Sequence, residues 1–300
     1  MLSDPGFRAS VDTYLDGLAS DADVLDRVAR WLGPVDVRTD RSQPHGEARV
    51  LELAPLDGRC AIAKWHRADR NYDREVLAYE RNVPSLGSDA PQLIAHDDTL
   101  RLVLVTRAPG DVVAGTDAAH DPDVHRQAGA LIRRLHESDR TVRNSDYGAV
   151  LVRKFDRWSD RAAQLIEPDD LAAAERIVLG ALDLPELEHV PAHRDNSPRN
   201  WVIDEGGRVR LIDFAALEYE PWCIDLFRMS QREWLDAPHL REAFLDGYGR
   251  QPDELDERML RSFHALGAVT TIAWATEHGD AAFAQEGREM LERVLGRTLY

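Results

Sequence analysis

The sequence is poor in cysteine: two in 300 residues, Cys60 and Cys223, far apart and in no motif. That excludes a disulfide framework and a thiolate zinc site. Cys60 stands in the apolar run Cys60-Ala61-Ile62-Ala63 and is expected to be a buried structural thiol. No apolar run approaches the roughly 20 residues that span a bilayer, so no membrane contact is expected. The stretch Met1 to Asp26 is acidic and mixed, without a basic region ahead of an apolar core, so no secretory leader is expected and the location reads as cytoplasmic. Positive charge is short too, with 37 Lys and Arg against 54 Asp and Glu and a formal net charge of −17. That balance argues against a nucleic-acid partner, which needs basic surface, and suits a cationic small molecule drawn to an acidic cleft. Internal repeats, low-complexity segments and long linkers are missing. What remains, 43% hydrophobic and 30% charged, is a globular chain with material for one large domain or two lobes.

The patterning changes along the chain. Residues 22–32 repeat apolar positions at three and four and read as an amphipathic helix ending at Gly33-Pro34. Val35 to Arg38, Arg49 to Leu53 and Arg59 to Trp65 read as strands, the last two joined by a Pro-Leu-Asp-Gly turn. Residues 70–82 return to helical spacing. Leu93 to Ala95 and Leu102 to Thr106 read as two further strands around Asp97-Asp98. Five strands with one helix inserted after the third make a small α+β lobe over residues 1–106. Arg107-Ala108-Pro109-Gly110 breaks the pattern and is the expected hinge. Over 107–300 helices dominate: from Asp121-Pro122 to about Glu137, with Asp as N-cap and Pro in the first turn, then about 153–166, 168–182, 222–235, 238–248, 252–276 and 280–296. The only strand material expected there is a hairpin around 201–213.

That hairpin carries the chemistry. The run His193-Arg194-Asp195-Asn196-Ser197-Pro198-Arg199-Asn200 is followed by Ile212-Asp213-Phe214. An Asp, an Asn five residues on and a second Asp thirteen further match a phosphoryl-transfer spacing, H-R-D-x-x-x-x-N followed by D-F-G in protein kinases. There the first Asp meets the acceptor hydroxyl, and the Asn and second Asp hold magnesium. Between Asn200 and Asp213, two short apolar runs flank Asp-Glu-Gly-Gly, a hairpin signature. A hairpin brings its ends together, so Asn200 and Asp213 are expected side by side, as two ligands of one metal require.

A nucleotide site also needs a cation on the phosphates and an anion to position it. Lys64, on the third strand, and Glu75, eleven residues later on the following helix, correspond to that pair; Asp73 and Glu80 are alternatives to Glu75. The phosphate loop departs from the protein-kinase pattern. Arg41-Ser42-Gln43-Pro44-His45-Gly46-Glu47 holds one glycine, leaving Ser42 and backbone amides to cover phosphates, with His45 read as a turn residue.

The chain resembles the aminoglycoside phosphotransferase family, small-molecule kinases that share the protein-kinase fold with choline kinase. Lys64, Glu75, the Pro109-Gly110 hinge, His193-x-Asp195-x-x-x-x-Asn200, Ile212-Asp213-Phe214 and Asp225 in Pro221-Trp222-Cys223-Ile224-Asp225-Leu226 carry the resemblance, over roughly 35–250. Three features favour a small-molecule over a protein acceptor. Ser197 stands where a Ser/Thr protein kinase carries Lys, Ala215 follows Asp213-Phe214 in place of Gly, and no Ala-Pro-Glu closes an activation loop. Arg194 departs from the glycine frequent in the family.

The resemblance implies a bilobal α+β, protein-kinase-like fold with a five-stranded sheet lobe and a larger helical lobe. It implies a phosphotransferase moving the γ-phosphate of ATP, or GTP, to a small-molecule hydroxyl. Asp195 would be the catalytic base, and Asn200 and Asp213 would hold Mg2+. Lys64, Glu75, Ser42, Val105 and Arg107 would bind nucleotide, His193 would support the loop from the core, and Asp225 would anchor it through backbone amides. An antibiotic or related natural product is the leading acceptor class, giving a role in resistance or self-protection. A metabolic kinase for choline, a sugar or an amino acid, and a nucleotide-binding pseudokinase scaffold, are the alternatives. Trp158, Asp160, Glu218, Trp274 and Glu277, expected in the large lobe, are candidates for framing a cationic or sugar acceptor. Oligomeric state is not legible.

Overall fold

The computed structural model describes residues 18–43, 46–55, 58 and 60–296. The expected turn residue His45, parts of the turn around Leu56 and Asp57, and the first 17 residues lie outside them. The chain divides into two units. One comprises the residues up to Ala118 together with Pro198–Glu218, and the other Ala119–Ser197 with the residues from Tyr219 on. The break expected at 106/107 therefore differs in two ways: the first unit runs on past the hinge, and the Asn200–Asp213 hairpin belongs with it.

In the first unit, strands β1 (Val35–Asp40), β2 (Ala48–Pro55), β3 (Ala61–His66), β4 (Leu93–Asp97) and β5 (Leu102–Thr106) form an antiparallel sheet of order β1-β2-β3-β5-β4. Successive side chains on a strand face opposite ways, and the sheet uses both sides. Leu51, Leu53, Ala61, Ala63, Trp65, Leu102 and Leu104 pack against Val24 and Val28 of the helix Asp21–Leu32 in one buried cluster. Ser20 caps that helix by accepting the Asp23 amide at 3.2 Å. The opposite face carries the alternate set, in cross-strand rows Val50–Lys64–Val103 and Glu52–Ile62–Val105. Lys64 is thus on a central strand, with its backbone fixed from both sides. The helix Asp69–Arg81 follows β3 directly.

A second sheet in this unit has the order β10-β9-β6, from β6 (Asp111–Val112), β9 (Trp201–Ile203) and β10 (Val209–Leu211). The expected hairpin is β9–β10. The Asp204 carboxylate accepts the amides of Gly206 at 2.9 Å and Arg208 at 3.1 Å, and the Gly207 amide donates to the Asp204 carbonyl at 2.9 Å, closing the turn.

In the second unit, helices run over Pro122–His136, Tyr147–Ala162, Pro168–Leu179, Pro238–Tyr248, Glu254–Glu277 and Ala281–Val294. Asp121 caps the first of these with Pro122 in its first turn, as expected. The helices Pro122–His136 and Pro238–Tyr248 approach through glycine on both sides. A Cβ on Gly129 would lie 2.0 Å from the Phe244 carbonyl oxygen, and one on Gly247 would lie 1.9 Å from that of Arg126.

Four expectations need correction here. The hairpin is not the only strand material after the hinge: β6, β7 (Val142–Asn144), β8 (Leu187–Ala192) and β11 (Glu218–Pro221) are present, the last three as a sheet of order β11-β8-β7. The helix expected over 222–235 is a 3₁₀ segment Trp222–Leu226 and a single turn Phe227–Ser230, with the Asp225 carboxylate turned inward to accept the His193 and Arg194 amides. The helix expected from 153 begins at Tyr147. Cys60 is only partly buried, and the Arg38 guanidinium donates to its Sγ at 3.0 Å. No helix among the described residues is long and apolar enough to cross a membrane.

Candidate active site

Lys64 anchors the constellation of the first unit. Its Nζ lies 3.3 Å from Glu75 Oε1 and 3.2 Å from Oε2, and 2.6 Å from Asp213 Oδ1. Burial disfavours the ammonium, but the carboxylates of Asp213 and Glu75 outweigh it and hold the Lys64 pKa above the ordinary lysine value. Glu75 is itself buried and has a second partner, His66, whose Nε2 is 2.5 Å from Oε2. His66 follows Lys64 by two residues and so shares its sheet face. Of the alternatives to Glu75, Glu80 instead lies 3.9 Å from His96.

The hairpin does bring Asn200 and Asp213 together. The Ile212 amide donates to the Asn200 carbonyl at 3.0 Å, one rung past the Trp201–Leu211 pair, so Asp213 follows directly on the residue bonded to Asn200. Asn200 is buried. Asp213 takes a left-handed backbone, φ 63°, a conformation that side chains other than glycine adopt at a cost of order 1 kcal/mol or more. Phe214 after it is fully buried, edge-on to Tyr79 of the helix Asp69–Arg81 with ring centroids 5.6 Å apart. That helix therefore holds both Glu75 and the residue next to Asp213. The donor set fits magnesium. Asn200 and Asp213 offer an amide and a carboxylate oxygen, and Mg2+ typically takes one or two protein oxygens while keeping water and phosphate ligands.

The other residues read as nucleotide-binding lie on the same unit. The Ser42 hydroxyl accepts the Val50 amide at 3.0 Å, tying the loop after β1 to β2. Val105 is buried in the row Glu52–Ile62–Val105, on the Lys64 side of the sheet. Arg107 is engaged, with Nε 3.2 Å from Glu52 and Nη2 3.0 Å from the Gly110 carbonyl. Glu52 is a buried carboxylate that also pairs with Arg41, a contact that no interval in the sequence signals.

Asp195 lies in the second unit, on the loop after β8. His193 is fully buried, its amide donating to Asp225 Oδ2 at 2.8 Å, and the Arg194 amide donates to Oδ1 at 2.5 Å. Asp225 is buried as well, with His136 Nε2 2.9 Å from Oδ2, and His136 Nδ1 is 2.8 Å from the Tyr248 hydroxyl. Arg194 has φ 64°, the conformation that makes glycine the easy residue. Asp195 is paired: Arg228 Nε lies 2.6 Å from its Oδ1. Arg228 and His136 were not singled out by the sequence. Arg228 follows Asp225 by three residues and stands in the single turn Phe227–Ser230.

The residues read as framing an acceptor do not form one cluster. Glu218 belongs to the first unit, contrary to expectation, and pairs with Arg70 at 2.9 Å and with Arg74. In the second unit Glu277 is bonded by Arg161 through Nε at 2.8 Å, and the Arg161 guanidinium also covers the Trp158 ring at 4.0 Å. Trp274 stacks on His278 at 4.1 Å instead. Asp160 is exposed and makes no ion pair among the described residues.

The profile of a family described as "phosphotransferase enzyme family" matches residues 77–260 of this chain. No curated protein sequence matches it. Solved structures share the fold over nearly their full length. The aminoglycoside phosphotransferase APH(4)-Ia superposes with a TM-score of 0.70 at 14% identity, covering 94% of this chain and 100% of that one. An aminoglycoside phosphotransferase of the APH(2″) class, solved with GDP and kanamycin, gives 0.68 at 13% identity over 91% and 98%. A macrolide 2′-phosphotransferase from Brachybacterium faecium gives 0.56 at 17% identity over 90% and 97%.

Proposed function

The chain belongs to the phosphotransferase enzyme family, and from that premise we propose that it transfers the γ-phosphate of ATP or GTP to a hydroxyl of a small molecule of the antibiotic or related natural-product class. The observation that carries the reading is the Lys64–Glu75–Asp213 cluster, with Asn200 held one hairpin rung away.

In this reading Lys64 is the cation for the nucleotide phosphates, and Glu75, fixed by His66, holds it in place. Asn200 and Asp213 would hold magnesium, which would supply positive charge to the phosphate oxygens. Asp195 orients the acceptor hydroxyl and takes its proton. The acceptor oxygen forms a bond to the γ-phosphorus, the bond from that phosphorus to the β–γ bridging oxygen breaks, and nucleoside diphosphate leaves with the electron pair. Such transfers need positioning and charge neutralisation more than covalent help. The acceptor class is supported by the likeness to structures named as aminoglycoside and macrolide phosphotransferases.

The test is a panel of hydroxylated natural products with magnesium ATP or GTP, read by mass spectrometry for a phosphorylated product. Asp195→Ala is expected to lower turnover by about 10²–10⁴-fold while nucleotide affinity holds. Wild-type turnover in that variant would show the assigned base to be wrong.

A further inference from the structure

The segment Asp225–Arg228 grips the loop His193–Asn196 at four points. The Asp225 carboxylate accepts the amides of His193 and Arg194, and its carbonyl accepts the Asn196 side-chain amide at 2.9 Å. Arg228 then reaches the Asp195 carboxylate, Nε to Oδ1, at 2.6 Å. The first three contacts hold the loop, and the fourth holds the one side chain read as meeting the acceptor. Ser197, where a Ser/Thr protein kinase carries lysine, offers no cation, and its hydroxyl is buried without a hydrogen bond among the described residues.

We propose that Arg228 is a positioning residue for Asp195 and an electrostatic filter on the acceptor, selecting a molecule with no positive charge beside the reacting hydroxyl. This rests on the reading of Asp195 as the base. With the guanidinium against Oδ1, the Asp195 carboxylate is held in one orientation. A bare carboxylate attracts an ammonium group; one already paired presents little net charge, and a second cation meets the guanidinium. Specificity of this kind comes from repulsion as much as attraction.

The same masking recurs in this unit. Glu277 is taken by Arg161, which also occupies the face of Trp158 where a ligand cation would stack. The buried Glu220 accepts from the Tyr147 hydroxyl, with Lys154 at 3.6 Å and Arg194 at 3.7 Å. Glu277, Glu220 and the Trp158 indole are thus already matched to the protein's own cations, despite the chain's net charge of −17.

Kanamycin, a polycationic probe, is titrated calorimetrically into the full chain saturated with magnesium ADP. The wild type is expected to show no binding up to millimolar probe, Arg228→Gln to bind at least tenfold more tightly than that limit, and Arg228→Lys, which keeps the charge, to exclude it still. Binding to the wild type with the same affinity as to Arg228→Gln, or to neither, overturns the filter. Phosphate release from magnesium ATP to water is measured in parallel. Arg228→Gln should lower kcat about 10–100-fold at unchanged nucleotide KM, and Arg228→Lys by less. Unchanged kcat in both overturns the positioning role. Asp195→Asn separates the two readings: if it leaves hydrolysis intact, the assignment of the base has failed, whatever Arg228 does.

Discussion

Lys64 and Asp213, 149 positions apart in sequence, meet at 2.6 Å. Lys64 is thereby the point at which strand β3, the helix carrying Glu75 and the end of the β9–β10 hairpin are joined by charge. Lys64→Met is expected to lower kcat/KM for the nucleotide by about 10²–10³-fold. Asp213→Asn should instead raise the magnesium concentration needed for half-maximal activity, because a carboxylate binds a hard cation better than an amide does. Steady-state phosphate release at varied magnesium and nucleotide separates the two effects, and equal loss in both variants at every magnesium concentration would contradict it.

His264 predicts a pH dependence of stability. It is buried beside Ser230, with Nε2 2.8 Å from the hydroxyl, and burial, helped by the charge of Arg293, holds its pKa down to about 3. The unfolded chain binds a proton at this residue near the ordinary histidine value of about 6.5, so below that pH the unfolded state holds more protons than the folded one. Stability attributable to neutral His264 is therefore fully present above about pH 6.5 and is lost as pH falls towards 3, by at most about 1.4 kcal/mol per unit. Urea midpoints of wild type and His264→Gln between pH 7 and 4 should converge or cross as pH falls; parallel curves would contradict this.

The paired glycines of the second unit predict a packing cost. Gly129→Ala and Gly247→Ala would each place a methyl about 2 Å from a backbone carbonyl oxygen of the facing helix. No rotamer relieves that contact, so the helices must separate, and each change is expected to lower stability by about 2–4 kcal/mol. Thermal melts decide this. Gly249, with φ 76° and open space where a methyl would stand, is strained by conformation alone on substitution, and Gly249→Ala should cost less, about 1 kcal/mol.

Arg194 predicts a backbone effect. At φ 64° a β-branched residue is more strained than arginine, and glycine is strain-free. Arg194→Gly is expected to stay within about 0.5 kcal/mol of wild type, since relief of strain offsets the greater entropy of the unfolded chain. Arg194→Val should lose about 1–3 kcal/mol. Chemical denaturation of the two variants gives the comparison.

The sheet unit was legible because its signals are local. Alternating residues in Leu51–Leu53 and Ala61–Trp65, the Asp-Glu-Gly-Gly turn and the fixed intervals around Asn200 and Asp213 each state a short-range geometry. The pairing of Lys64 with Glu75 followed from their order along the chain. Strand β8 was missed because Glu188, His189 and Pro191 spoil its apolar alternation, and its partner strands are three and four residues long. The segment 222–235 shows apolar residues at helical intervals, yet Asp225 turns inward to meet two backbone amides, which interrupts the helix. Charge pairing was the least legible: whether Glu218 or Glu277 is open to a ligand depends on Arg70, Arg74 and Arg161, whose reach no interval in the sequence records.

The two-faced sheet of the first unit has one more consequence. Its faces differ by a single residue step along β3: Ala63 and Trp65 point into the cluster under the helix Asp21–Leu32, and Lys64 between them points the other way. A slip of β3 by one position would therefore not blur the site but invert it, driving the ammonium into hydrocarbon and the indole out. The placement of the Lys64 ammonium is in that sense a binary property, locked by β2 on one side and β5 on the other. Substitutions that loosen the sheet should then yield a mixture of intact and wholly inactive molecules rather than a population of uniformly impaired ones.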